Sequence, residues 1–321
     1  VLSHTDTELL LSSMYVFYAK KVFDGIDSEK VKEMGWFLPR KNLSYENLLD
    51  SLLTDPKLLR KNEQQLFGQY FKLRDVLKKY RQKEKNGGWN PIAIDSLEKT
   101  YKPSDSSKTI GQIRQRLAQT GDLKLDSKSN VYDEELMAGI LNYKKRNGFN
   151  TDYLIASKHI QRMNIPIENY IKTIIANMER CRWIDPKLTK TDEYISINIP
   201  SYQFFFKKNG QNKLESKVFV GKNMNKTVVL SSNIDKIVFS PYWNIPKSII
   251  ENEIKYAIER DENYLEKHNI EWYKGNLRQK PGPKNSLGLV KFIFPNSEDI
   301  YLHDTPSKDL FQYEYRAYSH G

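Results

Sequence analysis

Cysteine is almost absent from this chain of 321 residues, which contains only Cys181. A single cysteine excludes an internal disulfide, so packing must hold the fold together. Arginines flank Cys181 and could lower the pKa of an exposed thiol, but we interpret it as a packing residue, with a reactive thiol as the weaker alternative. Long apolar runs are also missing. No stretch of about eighteen apolar residues occurs, which predicts no transmembrane segment.

Arginine is scarce among the basic residues, at 13 of 51, although the net charge is +11 and the pI about 9.3. Such a charge is compatible with nucleic acid, anionic lipid or an anionic wall polymer. Because there is no arginine-rich cluster and no aromatic-basic motif, this charge indicates lysine-rich solvated faces, and we expect no nucleic-acid partner. A nucleic-acid-binding role, motivated by charge alone, is the third function hypothesis. No cluster of histidine, cysteine and acidic residues suggests a metal, so we expect no cofactor.

Residues 1–104 have the apolar spacing of a helical scaffold domain, as in Leu9, Leu10, Met14 and Phe17. The run 9–19 could also pass for the apolar part of a signal peptide. It lacks a basic stretch before it and a small-residue cleavage site after it, which favours an amphipathic helix. The Gly- and Pro-containing segment 86–91 breaks the pattern, and residues 103–107 have the composition of a linker.

The next region, residues 105–166, resembles a small three-helix peptidoglycan-binding domain. Matching positions include Ile110, Ile113, Arg114, Leu117, Gly121, Tyr132, Asp133, Leu136, Ala138, Asn147, Gly148, Phe149, Asp152, Met163, Asn164, Ile165 and Pro166. The region departs from that pattern at Tyr143, Tyr153 and His159, so a spacer that binds no glycan is an equal alternative. Within residues 167–190, a helix from Ile167 to Arg182 is expected to lead back onto the first domain.

From residue 191 the chain becomes rich in β-branched and aromatic residues, which predicts strands over 194–200, 202–206, 217–220 and 227–230. Asn209-Gly210 is a hairpin turn signal. Between Trp243 and Pro281 a helical pattern interrupts this region and ends at Trp272 and Tyr273. An insertion of this length predicts a cap over a functional site.

The last twenty-one residues carry the strongest motif: Tyr301-Leu302-His303-Asp304-Thr305-Pro306, followed by Ser319-His320-Gly321. Other motifs precede it in order: Asn198-Ile199-Pro200, Gly221-Lys222, the run from Ser240 to Pro246, the run from Pro281 to Gly288, and Lys291-Phe292. Together they resemble the L,D-transpeptidases, in particular the large YcbB-like subgroup. In that family Ser-His-Gly is followed directly by a nucleophilic cysteine.

The resemblance implies a multidomain α+β protein whose residues 191–321 form a mainly-β catalytic domain, incomplete at its end. It implies that His303 is the base that keeps the thiol ionised. Backbone N–H groups around Gly321 and the next residue would stabilise the oxyanion, with Tyr301 as a further donor. Ser319 and His320 would orient His303 or shape the turn. Asp304 would support the site, or merely form a turn, and Asn285, Trp272 and Tyr273 would line the substrate channel.

The implied function is peptidoglycan transpeptidation that forms 3→3 cross-links through a cysteine acyl-enzyme. Stem peptides would be the partners, glycan strands would bind the helical module, and carbapenems would inhibit a form that carries the cysteine. The implied location is the periplasm of a Gram-negative envelope, with a role in cell shape. Because the chain stops at Gly321, we expect it to be inactive as it stands. The alternative is a non-catalytic wall-binding scaffold protein.

Overall fold

The computed structural model describes residues 3–57, 66–95 and 99–319. The chain divides into two compact units. Unit 1 comprises residues 1–195 and 206–213, and unit 2 comprises residues 196–205 and 214–321. The chain is a multidomain α+β protein, helical in unit 1 and strand-rich in unit 2, as predicted. Within the described ranges, no helix has both the length and the apolarity that crossing a bilayer requires.

Unit 1 begins with helices whose starts are fixed by side-chain caps. Ser3 and Asp6 form a reciprocal capping box at the first helix, and Ser44 caps the third. Ala19, Phe23 and Leu66 form the buried centre of this region. Its elements are α1 (His4–Phe23), α2 (Ser28–Glu33), β1 (Trp36–Phe37), α3 (Tyr45–Thr54) and α4 (Gln69–Lys85).

The second half of unit 1 holds its largest buried cluster, which runs from Ile92 to Met163. Arg114 is fully buried at its edge, and its guanidinium pairs with Asp133 at 2.6 Å and Glu135 at 2.8 Å. The three departing positions take part in two hydrogen bonds here: the Tyr143 hydroxyl donates to the carbonyl of His159, and the hydroxyl of the matching Tyr132 donates to the carbonyl of Tyr153. The elements are β2 (Thr100–Tyr101), α5 (Lys108–Thr120), α6 (Glu134–Asn147), β3 (Ile155–Ala156) and α7 (Ser157–Met163).

The interpretation of residues 103–107 as a linker is wrong. Ser107 caps α5, the N–H groups of Ser104 and Ser107 bond to the carbonyls of Tyr132 and Asn130, and β2 pairs with β3. Serine and aspartate are common both in linkers and at helix starts, because their side chains satisfy exposed backbone groups in either setting. The segment is therefore part of the packed module.

The predicted helix from Ile167 to Arg182 is confirmed as α8 (Ile167–Arg182). Its apolar face is buried through Ile171, Ile174 and Met178, and the helix packs on α4. The Arg182 guanidinium donates to the carbonyl of Val22 at 2.8 Å. The helix thus returns to the first helices of the chain, as the sequence predicted.

From β4 onward strands dominate the chain, and the first three form a sheet of order β4-β5-β6. The turn predicted at Asn209-Gly210 joins β5 to β6. A second sheet has the order β14-β13-β9, and β7 pairs in parallel with β15. The strands are β4 (Glu193–Asn198), β5 (Gln203–Lys208), β6 (Gln211–Lys217), β7 (Val220–Gly221), β8 (Val229–Leu230), β9 (Lys236–Phe239), β13 (Val290–Ile293), β14 (Leu302–His303) and β15 (Ala317–Ser319).

The segment between Trp243 and Pro281 is only half helical, which corrects the prediction of a helix that ends at Trp272-Tyr273. A helical stretch packs Ile249, Ile254 and their neighbours onto a three-stranded antiparallel sheet of order β10-β12-β11. Trp272 and Tyr273 lie on a strand, because a Lys274-Gly275 turn folds β12 back onto β11. The elements are β10 (Trp243–Asn244), α9 (Lys247–Ile249), a π-helical turn (Ile250–Ile254), α10 (Lys255–Arg260), α11 (Tyr264–Lys267), β11 (Ile270–Tyr273) and β12 (Asn276–Gln279).

Candidate active site

The centre of the candidate site is the antiparallel pair β13–β14, in which Lys291 lies directly opposite His303. Residues opposite each other in such a pair share one face of the sheet, with β-carbons about 5 Å apart. Tyr301 precedes His303 by two positions, and its ring centroid lies 5.7 Å from that of the imidazole. The sheet therefore brings an ammonium, a phenol and an imidazole together.

The His303 ring is held by the backbone. Its Nδ1 lies 2.5 Å from the carbonyl oxygen of Asp304. A carbonyl can only accept, so this bond puts the proton of the neutral ring on Nδ1 and leaves the lone pair on Nε2. His303 is solvent-exposed as a residue, yet the atoms around its imidazole desolvate the charged form and lower its pKa. The Asp304 carbonyl opposes that shift, and the charge of Lys291 reinforces it. The ring is thus kept as a neutral base.

Tyr301 is enclosed by two neighbours. The Lys291 ammonium lies 3.5 Å from the centroid of its ring, and the Trp243 side chain interacts with its hydroxyl. Burial raises the pKa of Tyr301, so its hydroxyl stays protonated near neutrality and remains a hydrogen-bond donor. The Trp243 contact also fixes the beginning of the 243–281 insertion against the site.

Asp304 ties the site to the loop before β13. Its Oδ2 accepts the Leu289 N–H at 3.0 Å, its Oδ1 pairs with Lys308, and its own N–H donates to the Val290 carbonyl. Burial alone would raise the pKa of the Asp304 carboxyl, but the bonds from Lys308 and Leu289 outweigh it and lower the pKa. A β-carbon on Gly288, whose φ is +62°, would overlap this carboxylate. Asp304 therefore acts as a positioning residue.

Asn285 lies in the loop that leads into β13 and is 1% exposed. Its Nδ2 donates to the carbonyls of Pro241 at 3.1 Å and Lys280 at 2.9 Å, and its Oδ1 accepts the Leu287 N–H at 2.8 Å. The side chain thus cross-links the two ends of the insertion to the loop. The contact with substrate expected of Asn285 stays a prediction.

Ser319 lies on β15, beside β7. Ser319 pairs with Gly221 in the parallel ladder, and its carbonyl accepts the Lys222 N–H at 3.0 Å. Gly221 has no room for a β-carbon because the loop through Asn225 and Thr227 folds over it. The Gly-Lys motif of the sequence is therefore the docking strand for the segment that leads to His320 and Gly321. Both of those residues lie outside the described part of the chain, so their assignments stay predictions.

Trp272 and Tyr273 lie on opposite faces of β11, as neighbours in a strand must. Trp272 is 67% exposed. Tyr273 covers one side of Arg278, whose guanidinium carbon is 3.5 Å from its ring centroid and 4.1 Å from that of Tyr242. Glu271 pairs with Arg278 at 2.7 Å and completes this face. The position of these aromatic residues at a substrate channel remains a prediction.

Cys181 is buried in α8, in unit 1. Burial raises the pKa of its thiol to about 11, against the opposing charge of Arg182. The interpretation of Cys181 as a packing residue is confirmed, because at neutral pH a thiol of such high pKa is protonated and unreactive.

Sequence reasoning gave no role to Lys291, Gly221 or Arg316. Arg316 is buried, and its guanidinium donates to the carbonyls of Tyr313 at 2.6 Å and Tyr202 at 3.1 Å, so it fixes the turn before β15. Lys291 and Gly221 were noted as parts of motifs. Their roles depend on strand register and on a loop folding back, which local sequence does not specify.

Comparison with known families agrees with this site. Residues 192–321 match the YkuD family, described as the L,D-transpeptidase catalytic domain, and residues 2–77 match a family described as a scaffold domain. A Haemophilus influenzae protein whose name assigns it provisionally to the L,D-transpeptidases is 35% identical over 148 residues. That match covers 40% of this chain and 30% of the relative, so the chain spans less than a third of that protein's length.

The β-rich C-terminal unit, the His303 motif and the match over residues 192–321 together define an enzyme class. The similarity of this chain to the L,D-transpeptidases therefore lies in the domain of residues 192–321.

Proposed function

We propose that the protein is a peptidoglycan L,D-transpeptidase that forms 3→3 cross-links through a cysteine acyl-enzyme, in a form that carries a cysteine directly after Gly321. The observation that carries the proposal is the His303 ring, whose Nδ1–H is held by the Asp304 carbonyl while its pKa is lowered. A neutral imidazole with its lone pair on Nε2 is the state required of a base toward a thiol.

In the proposed reaction, Nε2 of His303 takes the thiol proton, and the thiolate attacks the carbonyl carbon of the third stem-peptide residue. The carbon–nitrogen bond to D-alanine then breaks, and the leaving amine receives that proton. The side-chain amine of a second stem next attacks the thioester. A new amide forms, the thiolate is released, and the proton lost by the amine returns through the imidazole. Backbone N–H groups around Gly321, and the Tyr301 hydroxyl, would stabilise the oxyanion.

Acylation by a carbapenem tests this function. In the form with the cysteine, intact-mass measurement should find one adduct per molecule, mapped to that cysteine and absent when it is replaced by serine. His303→Ala should lower the acylation rate by roughly 10²–10⁴-fold, as expected for loss of a positioned base. The absence of an adduct on the form with the cysteine would contradict the assignment. A larger effect of His320→Ala than of His303→Ala would show that the base is His320.

We propose the periplasm as the location, and glycan strands as partners of unit 1. The support for a glycan is a polar cavity of about 320 Å³ that is lined by Trp89, Arg116 and a set of amide side chains: Asn86, Asn90, Gln112, Gln115 and Gln119. Its walls are fixed, because Arg116 donates to the Asn90 carbonyl at 2.7 Å and the Trp89 indole donates to that of Ile165 at 3.1 Å. Amides both donate and accept, which suits sugar hydroxyl and acetamido groups.

The non-catalytic alternative makes this cavity the functional part of the protein. In a binding titration with soluble peptidoglycan glycan chains, the combined change Gln115→Ala and Gln119→Ala should weaken binding several-fold. Gln161→Ala, an exposed glutamine on α7, is the matched control and should bind normally. Equal binding by all three proteins would rule out the cavity. Glycan binding without any acylation of the cysteine form would favour the scaffold alternative.

A further inference from the structure

Lys291 is a half-buried cation in the middle of the candidate site. It extends from the central strand of the β14-β13-β9 sheet, between Val238 on one side and His303 on the other. Within the described part of the chain, no carboxylate forms an ion pair with its ammonium. A lysine that is half-buried without a counter-ion carries a desolvation cost that a surface lysine does not, and burial accordingly lowers its pKa.

The position of the ammonium is set by Tyr301. It lies 3.5 Å from the centroid of that ring, and cation–π attraction holds it on the face of the sheet that carries His303. The acidic group whose charge acts on Lys291 is Asp299, in the loop before β14, and it forms no ion pair with the ammonium within the described ranges. The positive charge is therefore ordered by an aromatic ring and stays available to an external anion.

We propose that Lys291 forms a carboxylate subsite, which binds the C-terminal carboxylate of the leaving D-alanine of the donor stem while His303 acts on the nucleophile. This inference rests on the proposed function. In the donor, the terminal carboxylate belongs to the residue directly after the amide that breaks. An ammonium on the strand next to His303 is placed to bind that group, and a charge-assisted bond there would select a donor with a free C-terminus.

Electrostatics near the base give the lysine a further effect. Its charge adds to the lowering of the pKa of His303. A bound carboxylate would partly cancel that charge, so the imidazole would hold a proton more readily when the donor is seated. Lys291 is thus a substrate-binding and specificity residue that also influences the base through space.

Equilibrium binding to the 321-residue chain tests the subsite without any need for catalysis. The probes are a stem tetrapeptide that ends in D-alanine with a free carboxylate and the same peptide with a C-terminal amide, titrated by NMR. The chain should bind the acid about 10-fold more tightly than the amide, and Lys291→Met should bind the two equally. Lys291→Arg should restore the preference, because it keeps the charge.

Lys236→Met is the matched control. Lys236 is an exposed lysine on β9 of the same sheet, so its loss removes the same charge but should leave the preference for the acid unchanged. Equal binding of acid and amide by the unaltered chain, an intact preference in Lys291→Met, or no binding of either peptide would overturn the subsite. Failure of the proposed function has a different signature, which is the absence of a carbapenem adduct on the cysteine form.

Discussion

The carboxylate of Asp304 occupies the space that a β-carbon on residue 288 would need. Gly288 combines that close approach with a φ of +62°, so the position excludes side chains both by contact and by backbone conformation. Through this packing the loop before β13 and the strand that carries His303 become one rigid arrangement.

Gly288→Ala should therefore lower stability and slow acylation in the cysteine form. Gly275→Ala is the control, because Gly275 has a φ of +80° but open space around it, so it shares the backbone strain without the overlap. We expect Gly288→Ala to lower the free energy of unfolding by about 1–3 kcal/mol more than the control does, which is the usual range for overpacking. Urea unfolding of the two variants gives this difference, and equal losses would contradict the close-approach argument.

The lowered pKa of His303 predicts a specific pH dependence of stability. Between its folded pKa and the ordinary value of 6.5, the unfolded chain binds more protons than the folded one. The free energy of unfolding should therefore rise with pH across that window. The stability that depends on neutral His303 is lost as the pH falls through the same window. Urea unfolding curves measured from about pH 5 to 8 should show this slope, and His303→Gln should remove it. The Asp304 carboxyl, whose pKa is lowered from 3.8, adds a loss only in more acidic solution. An unchanged slope in His303→Gln would show that other groups cause it.

Cys181 should be inert in the folded 321-residue chain. Because burial raises the pKa of its thiol to about 11, a carbapenem should leave no adduct on this chain, and a thiol reagent such as DTNB should react only after denaturation. A stable carbapenem adduct mapped to Cys181 would overturn both the placement of the active site and the role of this cysteine.

Trp272 should contribute more to the reaction with natural stem-peptide donors than to acylation by small inhibitors. The side chain is 67% exposed, so Trp272→Ala should change the free energy of unfolding by less than about 0.5 kcal/mol. If the 243–281 insertion caps the site, the variant should use stem peptides several-fold more slowly while carbapenem acylation stays nearly unchanged. Tyr256→Ala, an exposed aromatic residue on α10, is the control. Equal loss of both activities, or of neither, would contradict the cap. Deletion of the insertion with Trp243 kept should likewise impair the use of stem peptides more than carbapenem acylation.

The sequence predicted those parts of the fold that depend on local patterns. The helix Ile167–Arg182 follows from apolar spacing, and the β5–β6 hairpin follows from Asn209-Gly210. Trp272 and Tyr273 were placed at the end of a helix because the isoleucine spacing before them is helical. The turn at Lys274-Gly275 then pairs them with β12, and that long-range pairing decides their conformation.

Some residues of the candidate site could likewise be predicted from local sequence, and the roles of others depend on the fold. His303 and Tyr301 were recognisable because they belong to a contiguous motif, whereas the role of Lys291 arises only from the register of β13 against β14. The contact of Asn285 with substrate stays a prediction, whereas its structural role was not foreseen: its amide bonds four backbone groups that lie from two to 44 residues away. Such distant bonds are visible only once the chain is folded.

The interaction of the Trp243 side chain with the Tyr301 hydroxyl limits how the 243–281 insertion can be exchanged between relatives. Trp243 starts the insertion in the sequence, yet its side chain belongs to the wall of the site. A chimaera should therefore keep Trp243 and Asn244 from the host protein and join the foreign segment after them. It should also rejoin the host before Arg278, so that both residue pairs of the β10–β12 ladder, Trp243 with Gln279 and Asn244 with Arg278, come from one parent. The insertion can thus be replaced only between junctions that lie inside the limits Trp243 and Pro281 predicted from the sequence.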